Sequence, residues 1–556
     1  MTAIDVEVTD VAAIRPSAVL DDAHVGDIHG AFGTIRAGDL AARGTLSAKL
    51  KTLLAVVGPG LIVMVGDNDA GAFSTYGQAG QNYGTHLLWT LLLLIPVLYV
   101  NQEMVLRLGA VTGVGHARLI LARFGKLWGA FEVADLFLLN GLTIVTEFIG
   151  ITLAAGYLGV PKILAVLLAA GVIIATAFTG SFRAFERIAM FFCVGSLLLV
   201  PLYLMAHPAG AAMTRGFTVP TLPGGGGMAT VMLLVIGIVG TTVAPWQLFF
   251  QQSYVIDKRI TPRFIKYEKA DLWIGIGIVV LGAAALMGVA AAAFAGTRGA
   301  GNFTDSAGVA RGVAAYAGHV AGALFAVALL DAAIIGAFAV SLSSAYAIGD
   351  VLGMKHSLHR GVGQAKGFYA LYAALIGGAA AIVLIPGSPL GLITEGVQVL
   401  AGVLLPAATV FLLMLCNDKA VLGPWANGPR TNAFTSAVIA VLVTLSVVLT
   451  ASVLFPAITA GQIVVIMAGC AAVAVATGGW LGVRRVRRGA GGAGVPDDIA
   501  GLSKAERMMW RMPPLAELHV PKITGGRRIG LLALRGYLAV AMVMVIVKVV
   551  LMAVAH

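Results

Sequence analysis

The sequence predicts an all-α integral membrane protein in which two five-span halves are inverted repeats of each other. Mean hydropathy is +0.93 and charged residues make up only 11% of the chain, whereas a soluble domain holds about a quarter. Two of the apolar spans, the first and the sixth, are interrupted in their middle. Interrupted helices at corresponding places in two halves are typical of an inverted-repeat architecture.

Windows of about 20 apolar residues are long enough to cross a bilayer, and the chain contains thirteen of them. The first ten form the two halves, and the last three are additional C-terminal transmembrane helices. The windows lie near residues 52–78, 85–107, 128–157, 161–178, 188–206, 228–253, 272–296, 316–347, 367–385, 392–416, 433–455, 461–483 and 529–554.

Composition divides the chain into five parts. The N-terminal part is mixed polar and lacks the basic-then-apolar order of a cleaved signal peptide, so we expect a flexible cytoplasmic tail. The five parts are residues 1–47 for this tail, 48–416 for the core with halves at about 52–206 and 228–416, 417–483 for helices 11 and 12, 484–528 for a cytoplasmic linker, and 529–556 for an extra C-terminal helix.

Lysine and arginine gather in the loops that follow even-numbered spans, for example at Lys258, Arg259 and Arg263. Cytoplasmic loops carry such an excess of basic residues, so we expect these loops and the N-terminus to be cytoplasmic. A basic face against anionic lipid accounts for the net charge of +11. The expected partner is therefore the lipid bilayer and not nucleic acid.

Cysteine and histidine do not indicate a metal site. The three cysteines lie in separate apolar segments, which predicts buried thiols and neither disulfides nor thiolate ligands. Three histidines near span ends lack the spacing of metal ligands, so we expect structural roles for them. These residues are Cys193, Cys416, Cys470, His86, His116 and His319.

The first span carries two carboxylates and two glycines at residues 66–71 (GDNDAG), inside an apolar segment from about Leu53 to Gly77. Ionised side chains in the bilayer interior are costly, and glycines weaken a helix. Such a cluster is retained where a helix breaks around a cation or a polar cavity. The cluster therefore indicates transport and not catalysis.

The sixth span is interrupted at residues 237–247 (GIVGTTVAPWQ), where glycine, two threonines and a proline lie in mid-membrane. Proline removes a backbone hydrogen bond and frees carbonyl groups. Either interruption alone is weak evidence, because kinks are common in membrane helices. Two interruptions five spans apart, one of them with carboxylates, place a binding site between spans 1 and 6 near the midplane.

These segments resemble the natural resistance-associated macrophage protein (Nramp) family of metal transporters. The resemblance covers roughly residues 52–416. The motifs that carry it are GPG at 58–60, VGDNDAGA at 65–72, RLGAVTG at 107–113, EFIG at 147–150 and PWQLFFQ at 245–251. It implies the LeuT-like fold of the APC superfamily, with a metal site between broken helices 1 and 6.

Alignment on this family implies an oxygen-lined metal site that has lost two family ligands. Asp69 takes the place of the metal-binding aspartate, Ala72 stands at the asparagine position, and Ala244 stands at the methionine position. The remaining ligand candidates are Asp69, Asp67 and Asn68 together with the carbonyls near Gly66 and Thr241.

Loss of a soft thioether and gain of space favour a hard, hydrated ion, and Mg²⁺ binds through oxygen while keeping several waters. The pattern resembles the prokaryotic Nramp-related magnesium transporters, which implies uptake of Mg²⁺ and also Mn²⁺ in the bacterial cytoplasmic membrane. The divalent ion is the transported substrate, and no resident cofactor is implied. Trp246, Gln247 and Gln251 are expected to line the site, and two of them, Trp246 and Gln251, stand where many Nramp proteins carry histidines.

Coupling to protons is not expected. Proton-coupled members carry an Asp-x-x-Glu pair in span 3, and here the two positions hold Ile144 and Glu147. Isoleucine cannot relay a proton, so we expect uptake by alternating access that the membrane potential drives. Glu147, Asp331 and Gln398 are candidates for an ion path.

Four alternatives remain open on the sequence. The nearest is a proton-coupled Mn²⁺ or Fe²⁺ importer of the Nramp type, and a more remote one is an amino-acid symporter of the same fold. A channel is disfavoured by the broken-helix repeat. An intramembrane protease is disfavoured because Asp67 and Asp69, two residues apart, point in different directions on a regular helix. For Glu132 and Asp135, at the start of span 3, two roles remain open: they attract cations, or they contact lipid headgroups. The sequence does not determine the oligomeric state, and a monomer is compatible with it.

Overall fold

The computed structural model describes residues 18–223, 228–386, 390–455, 458–487 and 502–519, and isolated residues between 530 and 547. This part of the chain is mostly helical, which confirms the predicted all-α class. The described exception is an antiparallel hairpin of two strands, Ile28–Gly30 and Gly33–Ile35.

Long helices form the body of the protein, and shorter helices and 3-10 turns connect them. The long helices are Trp89–Thr112, Lys126–Tyr157, Lys162–Ala177, Ile265–Phe294, His319–Leu352, Lys366–Val383, Leu390–Cys416, Pro429–Leu454 and Ala460–Arg487. The shorter helices are Leu46–Val56, Pro59–Val65, Ala70–Tyr83, His116–Phe124, Phe182–Gly195, Leu199–Ala206, Gly210–Thr218, Met228–Thr242, Pro245–Asp257, Ser306–Ala317, Lys419–Leu422 and Lys504–Met509. The 3-10 turns are Asp22–His24, Ser196–Leu198, Pro262–Phe264, Gly423–Trp425 and Leu515–Glu517.

The described helices account for the first twelve predicted spans. Ten spans are long and apolar enough to cross a membrane, and the bent pair Leu46–Val56 and Pro59–Val65 makes an eleventh. Lys162–Ala177, at 16 residues, occupies the place of predicted span 4. The thirteenth window, 529–554, lies mostly outside the described residues. The chain is therefore a multi-pass membrane protein.

Both predicted interruptions are present. Span 1 stops at Val65 and resumes at Ala70, and span 6 stops at Thr242 and resumes at Pro245. Both pieces of span 1 beyond its bend pack against Ile265–Phe294, and Met228–Thr242 packs against Leu390–Cys416. The two breaks therefore lie inside the bundle, between helices that bury them.

The N-terminal region differs from the predicted flexible tail over 1–47. Residues 18–43, here called the N-terminal strap, hold a 3-10 turn and the hairpin, and they pack on the core. Gly30 lies so close to span 1 that a Cβ there would meet the Ala55 carbonyl oxygen at 2.0 Å. Sequence composition could not predict this packing, because it depends on partners more than 150 residues away, such as Glu186.

Part of the predicted linker, 484–528, is also structured. The helix of span 12 continues to Arg487, so the first arginines of the basic run lie on that helix. Lys504–Met509 begins with a capping box in which the side chains of Ser503 and Glu506 bond each other's backbone N–H. After it, Met512 donates its N–H to Val111 O at 3.2 Å, which docks this segment on the end of span 2.

Candidate functional site

Asp69 begins the second helix of span 1 and lies at the break. Its side chain accepts a hydrogen bond from the N–H of Ala72 at 2.9 Å, as an N-cap residue does. Residues 66–69 are not helical, because Asp and Asn side chains compete with the helix for backbone bonds. Asp69 is 3% exposed, so this carboxylate is held inside the protein at the predicted place.

Glu147 from span 3 shares the same helix end. Its Oε2 accepts the N–H of Ala70 at 3.1 Å, while Oε1 has no hydrogen-bond partner. Two carboxylates thus meet at the N-terminus of Ala70–Tyr83, where the positive end of the helix dipole stabilises negative charge. Gly336 makes room for both, because a Cβ there would lie 2.7 Å from Glu147 Oε2 and 2.9 Å from Asp69 Cβ.

The break in span 6 frees backbone oxygen. The carbonyl of Thr241 would pair with the N–H of residue 245 in a continuous helix, but residue 245 is proline and has none. Ala244 is extended and has no side-chain cap. The hydroxyl of Thr241 is buried without a hydrogen-bond partner. The backbone at this break therefore has oxygen atoms that could bind a cation.

The C-terminal ends of Pro59–Val65 and Met228–Thr242 both stop at the breaks. Such ends carry partial negative charge on their last carbonyls. Gly66 is the C-cap of the first of these helices. The indole of Trp246 lies 3.7 Å from the position that a Cβ on Gly66 would occupy. The indole therefore lies beside the first break.

Gln398 of span 10 reaches both breaks. A Cβ on Gly71 would lie 1.8 Å from Gln398 Nε2 and 3.1 Å from Asp69 Oδ1. A Cβ on Gly240 would lie 2.1 Å from the Gln398 carbonyl oxygen. The side chain assigned to the ion path thus stands beside Asp69 itself.

The remaining predicted lining residues are buried. Ala72 and Ala244 are 0% and 5% exposed, and their small side chains leave the region around Asp69 without sulfur or amide ligands from these positions. Gln251 is fully buried, and neither polar atom of its side chain has a hydrogen-bond partner. It lies one and a half turns beyond Trp246 on the same helix.

Asp67 points to span 6 and not to Glu147. Its Oδ1 accepts a hydrogen bond from Gln247 Nε2, and Gln247 Oε1 accepts one from Gln102 Nε2 at 2.8 Å. The second carboxylate oxygen, Oδ2, is buried without a hydrogen-bond partner. The break therefore holds two aspartates with different surroundings. Sequence reasoning missed Gln102, which lies between Asn101 and Glu103 in a polar stretch of span 2.

Asn68 and Asp331 lie apart from these groups. The Asn68 amide nitrogen donates to Val279 O at 3.2 Å. Asn68 and Asp331 line one very small cavity, of about 10 Å³, together with Phe73 and Ser196. The structure thus brings Asp69, Glu147 and Gln398 together and places Asn68 and Asp331 on the other side of span 1.

Two acidic residues of span 3 and two histidines near span ends lie away from Asp69 in the sequence and have contacts of their own. Glu132 and Asp135 line a cavity with Pro245, at the start of the second helix of span 6. His116 bonds Gln252 Oε1 at 2.9 Å and His86 bonds Thr221 Oγ1 at 2.9 Å, which are structural contacts.

The candidate metal ligands are oxygen atoms. Within the described ranges, no three His, Cys, Asp or Glu side chains converge as a ready metal cluster. Carboxylates and freed carbonyls are the groups that hard dications prefer, and Mg²⁺ needs only one or two carboxylates because it keeps water. The arrangement suits a partly hydrated dication.

Comparison with known proteins gives consistent results. The family described as natural resistance-associated macrophage protein-like matches residues 60–452. A divalent metal cation transporter MntH of Ralstonia nicotianae is 30% identical over 409 residues, which are 70% of this chain and 89% of that protein. The MntH of Latilactobacillus sakei is 28% identical over 400 residues, 68% and 85% of the two chains.

A solved structure has the same fold. The manganese transporter of Eremococcus coleocola, crystallised with an aromatic bis-isothiourea compound, aligns with a TM-score of 0.61 and 19% identity. The alignment covers 81% of this chain and 97% of that one. The predicted LeuT-like class with broken helices 1 and 6 is confirmed.

Proposed function

This chain belongs to the natural resistance-associated macrophage protein family and is a divalent metal cation transporter, and we propose that its principal substrate is Mg²⁺, with Mn²⁺ also accepted. One observation carries the proposal: the buried carboxylate of Asp69 caps the helix that follows the first break, and the residues at positions 72 and 244, beside the two breaks, are alanines. A site of oxygen atoms with small side chains at these two positions favours a hard ion that retains water. A soft ligand, which would favour manganese or iron, is missing at residue 244.

The proposed ligands are Asp69 and the carbonyls near Gly66 and Thr241. Asp67 is proposed as a second carboxylate near the ion, while Asn68 and Asp331 contact a different cavity. Glu147 and Gln398 are proposed to guide the ion to and from Asp69. Ala72, Ala244, Trp246, Gln247 and Gln251 are proposed to form the walls of the site.

We propose that uptake is not coupled to protons. Ile144 is fully buried one helical turn before Glu147, where a second carboxylate would be needed for a relay. The membrane potential alone supplies about 4.6 kcal/mol for a divalent ion per 100 mV. We further propose the bacterial cytoplasmic membrane as location, a cytoplasmic N-terminus, and residues 48–416 as the transporting core.

Competition in proteoliposomes tests the substrate. Uptake of Mg²⁺ is measured with a fluorescent indicator while Mn²⁺, Ca²⁺ or an amino-acid panel is added outside. The proposal predicts saturable Mg²⁺ uptake that Mn²⁺ competes with and amino acids do not. Transport of Mn²⁺ without any Mg²⁺ uptake would instead identify a manganese importer.

A pH-sensitive dye inside the same vesicles tests the coupling. The proposal predicts Mg²⁺ influx without internal acidification at an imposed potassium diffusion potential. The second candidate is a proton-coupled Mn²⁺ importer, which the name of the Eremococcus coleocola protein and the direct contact of Glu147 with the Asp69 helix favour. Acidification in proportion to metal influx would establish that candidate.

A further inference from the structure

Two buried amides, Gln102 and Gln247, form a chain of hydrogen bonds that ends at Asp67 in the span 1 break. Gln102 lies in the middle of Trp89–Thr112 and is fully buried, as are Gln247 and Asp67. A carboxylate accepts hydrogen bonds and cannot donate them. Gln247 must therefore present its NH₂ group to Asp67 and its oxygen to Gln102.

This direction fixes the orientation of both amide groups. Gln102 donates its Nε2 to Gln247 Oε1 at 2.8 Å, and Gln247 donates its Nε2 to Asp67 Oδ1. Two oxygen acceptors are then left without a hydrogen-bond partner, Asp67 Oδ2 and Gln102 Oε1. Unpaired acceptors inside a membrane protein are costly unless water or a cation meets them.

We propose that Gln102 and Gln247 are positioning residues that hold Asp67 as a second carboxylate for the transported ion or for its retained water. This inference rests on the proposed function, because it assigns part of the hydrated-ion site. The amides act through Asp67 and do not touch the ion. Their effect is on the affinity for the hydrated ion, since a retained water shell needs outer acceptors in fixed positions.

The test measures Mg²⁺ uptake by Gln102→Met, which keeps the volume and removes the donor. A hydrogen bond to a charged group contributes enough for about a tenfold rise in KM, and we expect little change in the maximal rate. In the Asp67→Asn background, Gln102→Met should add nothing further. Gln81→Met is the matched control, because Gln81 is buried and bonds Gly299 O far from the break.

Three outcomes overturn this inference: an unchanged KM in Gln102→Met, an effect fully additive with Asp67→Asn, or an equal effect in the Gln81 control. Gln247→Met provides a second variant if Gln102→Met does not fold, as judged by size-exclusion profile. Failure of the proposed function is distinct, because the wild type itself would then not take up Mg²⁺.

A second inference comes independently from the N-terminal strap. The strap contacts three separate elements near the strap-side ends of the broken spans. Asp21 pairs with Arg360 at 2.5 Å in the loop after span 8, and Ala31 N–H donates to Glu186 Oε2 at 2.6 Å in span 5. Arg259, just after span 6, donates to the carbonyl of Ala23 at 2.9 Å.

The anchored helices are also joined to one another beneath the strap. Lys258 at the end of span 6 bonds both Glu186 Oε1 at 2.6 Å and the Val57 carbonyl of span 1 at 2.7 Å. Asp257 accepts from Ser357 at 2.5 Å. A path from Asp69 to this side requires the inner parts of spans 1 and 6 to separate from spans 5 and 8.

We infer that the strap is a latch that holds the transporter closed on the strap side and must release for that side to open. The accessibility of a cysteine at the site measures this opening. Ala244→Cys is labelled with a membrane-impermeant thiol reagent trapped on the strap side, and the protein without this cysteine corrects for Cys193, Cys416 and Cys470.

Charge reversal tests the latch. Asp21→Arg should raise the labelling rate severalfold because it repels Arg360, and the double variant Asp21→Arg with Arg360→Asp should restore the slow rate. Labelling that stays slow in Asp21→Arg, or stays fast in the double variant, would overturn the inference. A thermal-shift measurement on each variant separates latch release from unfolding.

Discussion

Gly336 shows how closely single residues define the carboxylate pair. The Cβ of an alanine there would lie 2.7 Å from Glu147 Oε2 and 2.9 Å from Asp69 Cβ, inside normal contact distance. Overpacking of this kind costs about 1–3 kcal/mol. The two acids keep their positions only because residue 336 has no side chain.

Gly336→Ala is therefore expected to reduce Mg²⁺ uptake about tenfold or more, since it displaces both carboxylates. The initial rate in proteoliposomes is the measurement. Gly377→Ala is the matched control, because Gly377 is also within a helix and has open space at its Cβ position. Equal rates in the two variants would show that the carboxylate pair is not part of the path.

Ala244→Met is expected to change ion preference. A thioether at this N-cap position adds a soft ligand beside the freed carbonyls and reduces the space for water. We predict that Mn²⁺ or Cd²⁺ gains about tenfold over Mg²⁺ in competition uptake, which corresponds to about 1.4 kcal/mol of differential binding. Preference that does not move toward the softer ions would contradict the role given to residue 244.

At the scale of elements, the strap and the loop after span 8 form a charged cluster outside the membrane. Burial opposes protonation of the His356 ring, but the Asp350 carboxylate at 3.0 Å and the Met354 carbonyl favour the imidazolium, and the pKa of His356 is raised to about 9. Burial lowers the pKa of His24, which contacts the same loop.

A raised pKa in the folded state gives a defined pH dependence. The contribution of His356 to stability is fully present below the unfolded pKa of about 6.5 and is lost as pH rises through about 9. The midpoint of thermal unfolding should therefore fall over this range. His356→Gln should remove this fall of the unfolding midpoint at alkaline pH. The lowered pKa of His24 has the opposite effect, a loss of stability at acid pH, and the variant should keep it. A variant whose unfolding midpoint still falls at alkaline pH as in the wild type would contradict the assignment.

Elements with local sequence signals were predictable, and elements with distant partners were not. The breaks at residues 66–69 and 243–244 follow from glycine, aspartate and proline, whose backbone preferences act locally. The strap has no such signal, because Asp21 is fixed by Arg360, 339 residues along the chain. Gln102 and Gly336 were missed for the same reason, since their roles depend on side chains from other spans.

At the scale of the whole molecule, the two broken spans leave carbonyls and carboxylates inside a helical bundle. Site residues such as Asp69 and Trp246 are no more than 3% exposed, so the ion cannot pass straight through. A buried site is compatible with transport if the protein opens the site to one side of the membrane at a time. Charge movement follows, because each divalent cation carries two positive charges across the bilayer.

Uptake should therefore depend on voltage. Inside-negative potassium diffusion potentials are expected to increase the initial Mg²⁺ rate, and reversal of the potential is expected to suppress it, since about 4.6 kcal/mol per 100 mV acts on a divalent ion. Liposomes without protein give the leak. A rate that does not respond to voltage but follows a pH gradient would require coupled movement of protons.

The most direct measurement of the central claim is Mg²⁺ uptake by Asp69→Ala and by wild type, reconstituted in equal amounts of correctly folded protein. In the proposed site, Asp69 supplies the side-chain ligand and the carbonyls at the two breaks supply the other protein ligands. The account predicts saturable uptake by the wild type and none above the empty-liposome leak by the variant. Wild-type uptake in Asp69→Ala would contradict it.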